Sequence, residues 1–187
     1  MDLEIPHFPN SKIESLPESA RLLWSLWDKA RSENNGLIPP RSMIKAMKLG
    51  SHAANCFVLQ REQPGHFTFK MCGTGFDKLF GRNLTGCDLR VIAHADSAHL
   101  LIAFCEAVIT KPCAAFARDI TTSPAGERIM SEGLTLPLAN QEGKVNQVFC
   151  CSNITRHGFS GGDKPDQVDP NYRELKAAYF IDLEDNQ

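Results

Sequence analysis

His94, Asp96 and His99 form an H-x-D-x-x-H pattern. Together such residues can hold a metal ion, and a single histidine can offer an axial nitrogen to haem. Asp96 also has the position of a helix cap, and the two histidines fall on different local structures, so spacing alone does not make them converge. Cys150 and Cys151 are adjacent; successive side chains of a strand point to opposite faces, which separates the sulfurs and disfavours a vicinal disulfide. Arg82, just after a turn glycine, can bind an anionic ligand or tie its loop to a carboxylate or to carbonyl groups. The run GTGFDKLFG at 73–81 is glycine-rich, yet it matches neither the P-loop nor the dinucleotide spacing, and no Lys-Ser/Thr pair opens a helix after it. A structural corner is expected there rather than a phosphate cradle. With no G-x-S-x-G elbow and no H-E-x-x-H helix, and with acidic residues mostly in turns and caps, no general acid/base pair can be named and no enzyme is expected.

The chain that must position these groups has 187 residues, 42% of them hydrophobic. That suffices for one compact domain with an added terminal element. Its 20 basic and 22 acidic side chains give a net charge of −2 without long blocks of either sign, so neither nucleic acid nor a membrane is expected as a partner. No apolar run approaches the roughly 20 residues of a membrane span, and MDLEIPHFPNSK does not read as a signal peptide, which points to a cytoplasmic protein. The seven cysteines include no C-x-x-C pair and read as small buried hydrophobes rather than a disulfide framework.

Along the chain, Ser15 and Glu18 have capping-box spacing ahead of a helix that puts Ala20, Leu23, Trp24 and Trp27 on one face. Residues 41–50 either offer Met43, Met47 and Ile44 to a core in a shorter helix ended by Gly50 or are loosely ordered. CFVLQRE and HFTFKMC, at 56–62 and 66–72, make a hairpin around a Gln-Pro-Gly turn, with Phe67, Phe69 and Met71 on one face. Thr74 and Asp77 have the spacing of a helix start, and Gly81 falls where a left-handed residue would close that short helix. A longer helix follows at 97–111 with Leu100, Phe104, Ala107 and Val108 as its apolar stripe, and Pro112 stops it. Three strands in 113–155 form an antiparallel meander, with Pro137 at an edge or a bulge. HGFSGGDKPDQVDPNY reads as a linker, and RELKAAYFIDL is open between helix and strand. The order gives an α+β layout, a five-stranded antiparallel sheet with helices on one face plus an N-terminal amphipathic helix. It divides into an N-terminal segment, 1–35, a core, 36–156, and a linker with C-terminal extension, 157–187.

This is also the element order of a PAS domain. FTFKMCGTGFDKLFGRNLTG, residues 67–86, resembles the signature of a bacterial PAS subfamily long catalogued as a domain of unknown function, in which an alternating strand ends in Gly-Thr and is followed by Gly-Arg-x-Leu-Thr-Gly. The two-tryptophan helix followed by Pro40-Arg41, and LTLPL at 134–138, are similar to other parts of that family. The resemblance covers roughly residues 20–155, and Gly73, Thr74, Gly81, Arg82, Leu84, Thr85 and Gly86 carry most of its specificity.

It implies a sensory or signalling module that binds a small molecule or a protein and has no catalytic output. The implied pocket would be lined by Phe69, Met71, Phe76, Phe80, Ile92, Phe104 and Met130, with Arg82 nearby, and the same residues can equally fill a dry core. A small apolar ligand and a protein partner, or a homodimer through the helix bearing Trp24 and Trp27, are the expected partners. No kinase, cyclase or DNA-binding segment is seen, so output is expected to pass through such a partner. The cofactor is undetermined. PAS domains that carry haem imply a histidine on a pocket helix, here His94 or His99, and a haem- or metal-dependent redox protein on the same scaffold is the alternative.

Overall fold

A computed structural model describes residues 5–93, 95–122, 128–157 and 173–183. Its centre is a seven-stranded sheet in the order β1-β7-β4-β5-β6-β2-β3. The strands are β1 (His7–Phe8), β2 (Cys56–Gln63), β3 (His66–Cys72), β4 (Ala114–Thr122), β5 (Arg128–Ala139), β6 (Val145–His157) and β7 (Arg173–Ile181). All neighbours are antiparallel except β1 and β7. The hairpin and the meander lie where the alternating patterns place them. The expected five strands become seven because RELKAAYFI pairs along the outer side of β4, and His7–Phe8 then pairs with β7. Both additions give partners to backbone groups that an exposed edge would leave open. The expected linker, apart from His157, lies outside the described residues.

Helices pack on both faces of the sheet, not on one. Helix α1 (Glu18–Glu33) covers one face, whereas α2 (Thr74–Phe80), a 3₁₀ turn at Leu89–Ile92 and α3 (Ala95–Thr110) cover the other. The central strands dictate this arrangement, since they are apolar on both sides. Leu134, Leu136 and Leu138 of β5 and Phe149 and Cys151 of β6 face α1, while Ile129 and Val148 face α3.

Helix α1 buries Ala20, Leu23, Trp27 and Ala30, a stripe with helical period. Its start is not a capping box. Pro17 precedes the first turn, and Ser15 donates instead to the Lys12 carbonyl at 2.7 Å. Trp27 is fully buried, and its indole Nε1 donates to the Pro137 carbonyl at 2.7 Å. The expected docking or dimer surface is therefore corrected: Trp27 is spent on the chain's own sheet, and Trp24 is half-buried with its ring 5.6 Å from that of Trp27. Pro137 sits beyond the last pairing of β4 with β5, Ala115 to Thr135, so on that side it occupies a local edge.

Three local expectations also change. A register shift in the β2–β3 ladder between Val58 and Leu59 turns Met71 to the α1 face, opposite Phe67 and Phe69. The 41–50 segment folds as 3₁₀ turns at Arg41–Met43 and within Ala46–Asn55, where Ile44 and Leu49 are buried and Met47 is 92% exposed. On α3, Ile102, Cys105 and Ile109 join Phe104 and Val108 in the core, whereas Leu100 is exposed. Among the described residues no helix is long and apolar enough to cross a membrane.

Candidate functional site

The glycines of the 73–86 run bend and thin the backbone. A side-chain carbon on Gly73 would stand 2.3 Å from the Ala54 carbonyl oxygen and 2.6 Å from that of Ala53; one on Gly75 would stand 2.8 Å from the former. These glycines let α2 start flush against the Ala46–Asn55 segment. Thr74 makes no cap; the N-cap is Gly73 and has no side chain to offer. Gly81 closes the helix in the left-handed region, φ 64° and ψ 21°. Asp77 accepts from the Leu84 N–H at 3.0 Å, and Gly86 and Cys87 then exchange backbone bonds with Phe69 of β3. The run is thus a corner that brings α2 over the sheet and closes the free edge of β3. Arg82 is exposed on this loop.

Beneath that corner, between the sheet and the layer of α2, Leu89–Ile92 and α3, lies a cavity of about 70 Å³. Its existence follows from a row of small residues. Ala117, Gly133 and Ser152 are direct neighbours across β4, β5 and β6, and alternation turns all three to the helical layer. A carbon added at Gly133 would meet Ser152 Oγ at 2.7 Å and Cys150 Sγ at 3.1 Å, so one methyl group would close much of the space.

The walls differ in chemistry. The ceiling is apolar and largely aromatic: Phe76, Phe80, Ile92, Leu101 and Phe104. Phe57 packs edge-on against Phe76 at 5.0 Å, and Phe76 stacks on Phe80 at 6.5 Å. The floor is polar. Asp119 and Thr121 of β4, Ser131 and Thr135 of β5, and Cys150 and Ser152 of β6 all face the space. Asp119, Thr121, Thr135 and Ser152 are buried. Cys150 Sγ and Ser152 Oγ are 3.7 Å apart. Such a floor offers hydroxyl donors and acceptors and one carboxylate to a ligand whose other face is greasy.

Four of the residues singled out in the sequence, Phe76, Phe80, Ile92 and Phe104, meet at this cavity. Phe69 is buried in the same core, edge-on to Phe57 at 5.6 Å. Met71 and Met130 turn to the other face of the sheet, the latter because Ile129 takes the inward position of β5. His99 is exposed on α3; His94 and the Asp96 side chain lie outside the described residues, so the H-x-D-x-x-H pattern is not tested, although Asp96 stands inside the first turn of α3 rather than ahead of it. Among the described residues no three metal-binding side chains cluster. The polar floor was missed because its threonines and serines read as ordinary strand residues; the signal in hindsight is their repetition at alternate positions.

Cys150 faces the cavity while Cys151 faces α1. Cys151 is instead the direct cross-strand partner of Cys56, and both sulfurs approach the His52 carbonyl, at 3.8 and 3.3 Å. The hydrogen bond with Cys151, then burial, pushes the Cys56 thiol well above the usual range and keeps it protonated. On the cavity's far side α3 is clamped to the hairpin, where Glu106 accepts from Arg61 at 3.0 and 2.8 Å and from the Gly65 N–H at 2.7 Å.

A family model described as PAS domain matches residues 16–152. The chain belongs to the PAS domain family. Solved structures similar to it include the Vibrio cholera VqmA–ligand–DNA complex, 14% identical with a TM-score of 0.43 over 52% of this chain and 45% of that one. VqmA bound to DPO is 14% identical, with a TM-score of 0.44 over 53% and 51%. A sensory box histidine kinase/response regulator from Burkholderia thailandensis is 12% identical, with a TM-score of 0.39 over 59% and 85%. The chain thus spans about half the length of the VqmA chains it matches. A comparison with curated proteins gives no match. The exclusion of nucleic acid drawn from balanced charge does not stand; VqmA is solved in complex with DNA, and that is a property of VqmA. Charge balance measures only non-specific attraction to phosphates and is no argument about the assembly in which a PAS domain sits.

Proposed function

We propose that this PAS domain is a sensory signalling module that takes a small molecule into the cavity between its sheet and the α2–α3 layer, and that it has no catalytic output of its own. The observation that carries this reading is the cavity's division into an aromatic ceiling and a hydroxyl-rich floor. Four buried polar side chains stand on one face of three adjacent strands, opposite the aromatic layer. The non-catalytic part is supported by the lining, whose only ionisable groups among the described residues are Asp119 and the thiols of Cys105 and Cys150, with no histidine or lysine to serve as a base or electrophile. Binding would signal by favouring one packing of α2 and α3 on the sheet over another.

The test is a backbone-amide NMR titration with small heteroaromatic fragments that carry hydroxyl or amino groups. Shifts concentrated at Thr121, Ser131, Gly133, Thr135 and Ser152, and lost in Gly133→Val, are expected. A library that perturbs none of these amides refutes the reading.

A further inference from the structure

On the face of the sheet opposite the cavity, the segment that follows α1 carries charge of one sign. Residues 34–60 contain Arg41, Lys45 and Lys48 and no acidic side chain, in a chain of net charge −2. All three cations are exposed, and among the described residues none of them is in an ion pair. Arg41 donates to the Met71 thioether at 3.4 Å, a weak acceptor that leaves most of the guanidinium's donors for another group. Met71 is within reach because the register slip between β2 and β3 turns it to the α1 face.

Residues 41–48 form a ridge between two grooves. On one side Arg41, Met71 and Phe149 border a groove of about 490 Å³, with Asn140 and Gln147 at its rim. On the other side Lys45 and Lys48 border a groove of about 250 Å³ against α1, where Glu33, the one acid among its described residues, stands 3.8 Å from Lys29. Ile44 is buried and belongs to both walls. Met47, between the two lysines, is the most exposed large apolar side chain among the described residues. The ridge is fixed from beneath: the Ala139 N–H donates to the Pro39 carbonyl at 3.1 Å, and Leu49 is fully buried. A partner therefore meets a preformed surface.

A lone exposed methionine or lysine is ordinary. A protruding methionine set among cations, with an apolar-floored groove on either side, complements one kind of chain, in which carboxylates alternate with apolar side chains. A nucleic-acid backbone or a lipid surface would meet the cations and leave both grooves unfilled, and one methionine is too little apolar area to hold in a bilayer. We propose that residues 41–48 are the docking surface for an acidic, amphipathic peptide segment of a partner protein. Its carboxylates lie at Arg41, Lys45 and Lys48, and its apolar side chains lie against Met47 and in the grooves. The ridge is also continuous with the roof of the cavity: the Ala46–Asn55 segment carries Met47 near one end and, near the other, the Ala53 and Ala54 carbonyls against which α2 starts.

The experiment is fluorescence anisotropy of a labelled peptide of repeated Glu-Leu-Glu-Phe titrated with the full chain, beside its glutamine-for-glutamate counterpart, with phosphatidylserine vesicles and duplex DNA titrated in parallel. The acidic peptide should bind at least about tenfold more tightly than the glutamine peptide, and less tightly as salt is raised. Lys45→Gln/Lys48→Gln should weaken it by about threefold or more and Arg41→Gln by about two- to fivefold, whereas Lys111→Gln, the same loss of charge just after α3, should leave it unchanged. Met47→Ser should cost at least about threefold at every salt concentration, a loss that attraction between charges does not produce. Equal binding of the glutamine peptide, an unchanged affinity in Met47→Ser, or tighter binding of the vesicles or the DNA than of the acidic peptide each overturns the proposal.

Discussion

Trp27 offers the sharpest test of how the N-terminal helix is held. Its indole is fully buried among Leu23, Leu134, Leu136 and Leu138, and its N–H is the donor to Pro137. Trp27→Ala removes both the packing and the bond, and buried tryptophan-to-alanine changes cost about 3–5 kcal/mol. Trp27→Phe keeps most of the apolar contact but strips the Pro137 carbonyl of its buried partner, at about 1–3 kcal/mol. For a chain of 187 residues, 1 kcal/mol moves the melting temperature by roughly 2–4 °C. The alanine variant should therefore melt roughly 6–20 °C lower and the phenylalanine variant roughly 2–12 °C lower. Urea denaturation followed by the fluorescence of Trp24, which both variants retain, gives the free energies directly, and light scattering reports the mass. A Trp27→Ala protein within about 1 kcal/mol of wild type, or one whose mass changes while its stability does not, would refute the docking of α1 on its own sheet.

Gly73→Ala should destabilise the fold by about 1–3 kcal/mol or more, because the opposing atoms are backbone carbonyls of Ala53 and Ala54; inorganic phosphate should leave the wild-type melting temperature unchanged, and a phosphate-dependent rise would contradict the structural role of this run. Burial pushes the thiols of Cys72 and Cys113 up to about 12, so peptide mapping after brief iodoacetamide treatment at neutral pH should find both unmodified until urea is added. At the hairpin, the Lys70 ammonium, 2.8 Å away, and the Thr68 hydroxyl, 2.6 Å away, hold the Glu62 carboxyl down to about 2. Since the folded state binds this proton less readily, the stabilisation is complete above the ordinary glutamate range of about 4.3 and drains as pH falls toward 2; it is small because the pair is exposed. A carbon-detected NMR titration of Glu62 should show the low midpoint, and Lys70→Met should raise it; an unmoved midpoint would refute the assignment.

Much of the fold was legible in the chain because its signals are local. The hairpin, the meander, the amphipathic period of α1 and the left-handed glycine at 81 each depend on residues within a few positions of one another, and each occurs where the pattern places it. The capping residues were not legible. Ser15 and Thr74 have the right types and spacing, but Ser15 is drawn into a preceding 3₁₀ turn, and Thr74 already lies inside its helix. Met71 and Met130 misled for a related reason: face assignment by alternation needs the register, and a slip between Val58 and Leu59 reverses it for Met71.

The sequence by itself determined the hairpin, the antiparallel meander and the helices that pack on them, because glycine placement, turn residues and apolar period are properties of the local chain. It also supplied the aromatic half of the candidate site, through Phe76, Phe80, Ile92 and Phe104. Tertiary structure alone decided the polar half. Asp119, Ser131, Thr135 and Ser152 share a floor only once three strands are in register, and the void above them exists only because Ala117, Gly133 and Ser152 fall in one row. It likewise decided that the last segment is a strand beside β4, since pairing between residues some sixty positions apart, such as Ala117 with Ala178, leaves no trace in the spacing of either segment.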